Sequence, residues 1–234
     1  MSAIHTARER ARAELTREIK NEARRQLAAS GASGLSLRAV ARELGMVSSA
    51  LYRYFPSRDE LLTALIIDAY NALGDVVEAA DRSAPATHFR ARLRAVCYAV
   101  REWTKSHPNE YALVYGSPVP GYRAPEDTVV PGGRVPLALL NLVGEAAAAG
   151  ALAPANEELS AELAEQTKAI AEIGAPHLSG PQLARAAMVW AQLFGVISFE
   201  LFGQFARTLD PTDAFFDYAV ERMADFVGVA ADPD

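Results

Sequence analysis

The stretch Leu35–Glu60, LSLRAVARELGMVSSALYRYFPSRDE, leaves the chain few ways to fold. Leu37, Val40, Ala41 and Leu44 recur at i, i+3, i+4 and i+7, one apolar stripe of a short helix. Ser36 stands where a hydroxyl caps a first turn, and Gly45 follows where a left-handed residue ends a helix. After Met46 and Val47, Ser48 or Ser49 is placed to cap a second helix that turns Leu51 and Phe55 inward. Pro56 stops that helix. Ser57 and Glu60 have the spacing of a capping box, so a third helix starts there.

Helix, glycine turn and helix is the helix-turn-helix pattern, whose second helix enters a DNA major groove. With Leu51 and Phe55 inside, the outer side carries Ser48, Ser49, Ala50, Tyr52, Arg53 and Tyr54. Hydroxyls and a guanidinium fork bond phosphates and base edges, and small residues allow close approach. The alternative from spacing alone is a helical hairpin with a polar face. Here the run SLRAVARELGMVSSALYRYFPSRDELL resembles the DNA-binding signature of the TetR/AcrR transcriptional regulators. It departs at Ser49, where many members have glycine or proline, and carries Arg53 at a freely varying position. Both departures bear on which operator is read.

The resemblance implies an all-α chain: a helix-turn-helix DNA-binding domain over 1–57 and a helical ligand-binding and dimerisation domain over 58–234. It implies that Tyr52, Tyr54 and Arg58 hold phosphates, and that Ser48, Ser49, Ala50 and Arg53 lie nearest the bases. Val47 joins this set, and Ser36 and Arg38 take backbone or flanking-base contacts. The net charge of −6 seems to oppose nucleic acid, but its distribution does not. Residues 1–60 hold eleven Lys and Arg against seven Asp and Glu, a net of +4, leaving −10 on the remainder. A basic head on an acidic body suits a protein whose body stays off the duplex.

The rest of the chain reads as helices. One is expected over about 8–29, with Leu15, Ile19, Ala23 and Leu27 as its buried stripe. Another runs from Arg58 to about Ala80, before the break ADRSAPAT. The helix expected over 87–106 has Arg90, Arg92, Arg94, Arg101 and Glu102 opposite its apolar face, read as a solvated surface. Asn109 is expected to cap the next helix, and Gly116–Gly133 to form a long loop because of its four prolines and four glycines. Helices follow over 134–149, 157–173 and 211–227. The run Met188–Phe205 is apolar on nearly every side. A membrane span is rejected because Gln192, Glu200 and Gln204 interrupt it.

In the resembled family the last two helices pair across a dimer. Trp190, Ile197, Glu200, Leu201, Phe216, Val220 and Met223 are assigned to that interface, with Gly195 and Gly203 permitting close approach. Glu200 needs a partner, expected across the dimer, on a tyrosine or on a ligand, in that order. An apolar effector is expected near Trp103, Tyr111, Tyr115, Tyr122 and Phe194.

Catalytic and metal-binding patterns are missing. His5, His88, His107 and His177 are scattered, with no HExxH, P-loop, GxGxxG or GxSxG. Cys97 is the single cysteine and is read as a buried small hydrophobe. The reading is therefore a cytoplasmic regulator without cofactor or metal. Its partners are a palindromic double-stranded operator, a second copy of itself and a small-molecule effector, with no membrane. A helical enzyme or binding protein for small apolar molecules is the alternative.

Overall fold

The computed structural model describes the backbone of residues 3–232 and side chains from Ala7 onward. Among the described residues the named elements are all helical: α1 Ala3–Ser30, α2 Leu37–Glu43, α3 Ser48–Leu51, α4 Arg58–Ser83, α5 Phe89–Ser106, α6 Pro108–Tyr115, α7 Val129–Ala148, α8 Ala161–Gly174, α9 Gly180–Leu201 and α10 Asp213–Val227. Short 3-10 turns occupy Ala32–Gly34 and Glu126–Thr128. The chain divides into two compact units, residues 1–71 with 107–132, and 72–106 with 133–234. The boundary expected at 57/58 falls inside the first unit, because the first half of α4 supplies that unit's core.

In the first unit, Ile19, Ala23 and Leu27 of α1 meet Leu37, Val40 and Ala41 of α2, Leu51 of α3 and Phe55. Leu61, Leu62, Leu65 and Ile66 of α4 close this core, and Leu113, Val119 and Tyr122 pack at its edge. Charged braces surround it. Lys20 and Arg24 converge on Asp68, each at 2.7 Å. Thr63 and Tyr122 share a 2.8 Å hydroxyl hydrogen bond, and the Tyr70 hydroxyl donates to the Val114 carbonyl.

In the second unit, α9 packs against α5, α8 and α10. Its buried face is Leu183, Ala186, Val189, Leu193 and Ile197. Val96, Cys97, Val100 and Trp103 of α5 and Phe216, Val220, Met223 and Val227 of α10 are buried in the same unit. The arginines expected on a solvated face of α5 behave otherwise. Arg92 is buried, forking onto Asp81 and reaching Glu145, and Arg101 is buried against Glu200. Arg90 and Arg94 bond Glu221 of α10. A guanidinium that meets a carboxylate from another helix can be buried where an unpaired one cannot.

Several helix starts also differ from expectation: α1 begins at Ala3, α8 at Ala161 and α9 at Gly180, ahead of the apolar run at Met188. Helix α6 is capped at His107 with Pro108 in its first turn, not at Asn109. The Gly116–Gly133 loop is shorter than expected, since α7 begins at Val129 and takes in Pro131, Gly132 and Gly133. Proline is tolerated in a first turn because its missing N–H has no partner there anyway. Among the described residues α9 is the one helix long and apolar enough to cross a membrane.

Candidate nucleic-acid interface

The groove-facing segment is assembled by local rules. Ser36 Oγ accepts from the Ala39 amide at 3.4 Å and opens α2. Gly45 sits at φ +65°; its amide donates to Arg42 O, and Met46 N donates to Ala41 O at 2.8 Å. This paired closure ends α2 within two residues and requires the left-handed region that glycine enters freely. Val47, in extended backbone, then takes the N-cap of α3 without a side-chain hydrogen bond. Neither Ser48 nor Ser49 is the cap, because the tight turn starts the helix at Ser48 itself. After Leu51 the chain continues in turns, with Phe55 N bonded to Leu51 O at 3.1 Å.

Leu51 and Phe55 are buried as expected, which fixes the outward set. Val47, Ser48, Ser49, Tyr52 and Arg53 are exposed, and Ala50 and Tyr54 are half-buried. Arg38 is exposed on α2, beside the half-buried cap Ser36. Ser36 N also donates to Gln26 Oε1, tying the start of α2 to α1. Arg58 differs from the rest. Its guanidinium donates to Ala32 O at 2.7 Å and Leu35 O at 3.2 Å, so it braces the entrance to α2. Arg12 of α1, one of three arginines there whose sequence reading is a solvated face with backbone contact as the alternative, has its guanidinium 5.3 Å from the Tyr54 ring centroid. The pairing with Tyr54, 42 residues away, leaves no spacing signal.

The residues expected around an effector come from both units. Tyr111 is fully buried and Tyr115 half-buried, with ring centroids 5.3 Å apart. Tyr70 meets Tyr115 edge-on at 5.9 Å, and burial raises the pKa of both of these hydroxyls. These and Tyr122 belong to the first unit, whereas buried Trp103 and half-buried Phe194 belong to the second. Of the residues assigned to a dimer face, Ile197, Phe216, Val220 and Met223 lie in the core of their own unit. The large apolar side chains exposed on and between these two helices are Met188, Trp190, Phe199, Phe202, Leu209, Tyr218 and Phe226, with Leu201 half-buried. Within the chain Glu200 is held by an arginine and a threonine rather than by the tyrosine expected as one of its partners. It accepts a fork from Arg101 at 2.6 and 2.7 Å and a bond from Thr212 at 2.9 Å, all within the chain. Among the described residues no three His, Cys, Asp or Glu side chains converge as a metal site.

Comparison with known proteins accounts for both units. Residues 19–65 match the family described as bacterial regulatory proteins, tetR family, and residues 93–223 match the tetracyclin repressor-like C-terminal domain. The chain is 41% identical to the HTH-type transcriptional regulator Rv1816 of Mycobacterium tuberculosis over 213 residues, 88% of this chain and 89% of that one. The same figures hold for the regulator Mb1846 of Mycobacterium bovis. The crystal structure of the regulatory protein SCO4313 superposes with a TM-score of 0.77 at 34% identity, over 93% of this chain and 98% of that one. PfmR from Thermus thermophilus, at 18% identity and a TM-score of 0.55 over 89% of this chain and 96% of that one, shares the fold. An exposed helix-turn-helix face, a matching head and a matching body place the chain in the TetR family of DNA-binding transcriptional regulators.

Proposed function

We propose that this regulator is a cytoplasmic homodimeric repressor that a small, largely apolar effector releases from a palindromic operator. Residues 1–57 serve as its DNA-binding head, with the first half of α4 completing the head's core, and 58–234 serve as its body. The observation that carries the reading is the continuous exposed run Val47, Ser48 and Ser49 with Tyr52 and Arg53, held rigidly by Leu51 and Phe55. It lies in the segment that carries +4 of a chain whose total is −6. Two heads on one dimer would enter successive major grooves about 34–36 Å apart. Arg12 and Tyr52 would hold phosphates. Ser48, Ser49, Ala50 and Arg53 would face base edges, and Arg38 would reach the flanking backbone.

The dimer reading draws support from α9. Met188, Ala191, Gly195 and Phe199 recur along one exposed face, opposite the buried stripe. No catalytic or cofactor role is assigned to the body. Its effector acts only if it binds the low-affinity state of the dimer more tightly than the operator-bound state.

The test is binding of the purified protein to its own upstream DNA and to random DNA across a salt series. Tight binding to one palindromic fragment, weakened steeply by salt, is the expected result. Equal weak binding to both fragments would count against autoregulation and leave the operator elsewhere. Insensitivity to salt would overturn the proposed docking.

A further inference from the structure

Val47 gains nothing from its own fold. It holds the N-cap of α3, where a serine or aspartate side chain would satisfy a first-turn amide, and it makes no capping bond. The residue is 70% exposed. Between Leu35 and Ser57 it is the one aliphatic side chain so exposed; Val129, Val130 and Ile173 are comparably exposed elsewhere. A residue that caps no amide and buries little of its surface contributes little to the fold, and its methyls stay free to meet something outside the chain. Its neighbours say what shape that something has. Ser48, Ser49 and Ala50 are too short to hold a facing surface away, and Tyr52 and Arg53 lie on the same exposed run.

In the major groove, base edges present hydrogen-bond donors and acceptors and one apolar group, the C5 methyl of thymine. We propose that Val47 is a specificity-determining residue that reads thymine, packing its methyls on the C5 methyl of one thymine in each half-site. This deepens the DNA-binding reading above and rests on it. Cytosine in that place offers only C–H at C5, and its N4 amino donor finds no acceptor on valine. The serines beside Val47 can donate or accept with several bases and discriminate less. Val47 thus supplies selectivity where the polar groups supply contact.

The experiment uses the full chain, wild type and Val47→Ser. Serine caps α3, so this variant keeps the fold. Each protein selects sites from a random-sequence duplex library, and affinities are then measured on the winning duplex. The wild-type site is expected to hold a fixed thymine at one position of each half. Replacing that thymine by deoxyuracil, which removes only the methyl, should weaken wild-type binding about four-fold per half-site. The same replacement should change Val47→Ser binding by less than about two-fold, and its selected sites should lose the thymine. Equal losses in both proteins, or no loss at any thymine, overturn the assignment. Failure of the wild-type chain to enrich any sequence overturns the sequence-reading function itself.

Discussion

Arg101 shows how a single side chain knits distant helices. Its side chain is 3% exposed; the guanidinium forks onto Glu200, reaches Asp213 at 2.8 Å and lies 4.6 Å from the centroid of the Phe216 ring. Replacing it with methionine leaves the Glu200 carboxylate without its main partner, a change that typically lowers stability by about 3–5 kcal/mol. Urea unfolding of Arg101→Met should show that loss. Burial alone would raise the Glu200 pKa, but the Arg101 fork and the Thr212 hydroxyl outweigh it, and the net shift is downward from 4.5. A lowered carboxylate contributes stability above its unfolded pKa and loses it as pH falls through the folded one. Wild type should therefore lose more stability than Glu200→Gln between about pH 6 and pH 3. Cys97 gives a simpler test. Burial pushes its thiol up to about 12. It should resist alkylation at about pH 8 in the native protein and react fully in denaturant. The sequence marked Glu200 as needing a partner and Cys97 as buried, since both follow from their own apolar neighbours. It did not mark Arg101, because a pair 99 residues apart leaves no periodic trace.

At the scale of elements, the shortest helix is the most constrained. Helix α3 has four residues and stands only because Gly45 turns the chain and Leu51 anchors it. Alanine at 45 must adopt φ +65°, which costs about 1–2 kcal/mol, and Gly45→Ala should lower the unfolding midpoint of the head accordingly. Val47→Ser should act in the opposite direction, adding about 1 kcal/mol by capping α3. Denaturant midpoints of the two variants against wild type check both signs. A stabilised Val47→Ser with altered site preference would show that the wild-type residue favours reading over stability. The helix-turn-helix was legible because each of its signals is local: a 3.6-residue period, a serine cap, a glycine stop. Helix α7 was legible only in part. Pro131, Gly132 and Gly133 read as loop, yet a first turn needs few amides and the helix absorbs all three.

For the whole molecule, the decisive question is which face of α9 meets a partner. A helix apolar on most sides has no phase that sequence can read. Ile197 and Phe199 look alike there, yet one is 1% exposed and the other 53%. Ile197, Phe216, Val220 and Met223 therefore read as dimer residues in sequence and are core residues in the fold; packing alone separates the two sets. Two substitutions on this helix should therefore behave oppositely. Ile197→Glu buries an unpaired carboxylate and should unfold the chain or lower its stability by about 4 kcal/mol or more. Phe199→Glu puts a charge on an exposed ring position and should leave the monomer folded. Across the proposed dimer it would set two carboxylates into an apolar seam. Sedimentation should then show monomer at concentrations where wild type is dimeric. Operator affinity should fall by about a hundred-fold or more, because each head loses the effective concentration its twin provides. Helical content and unfolding midpoint, measured alongside, distinguish lost assembly from lost folding. A dimeric Phe199→Glu with wild-type affinity would move the interface away from this face of α9, and with it the spacing of the two Ser48–Leu51 helices.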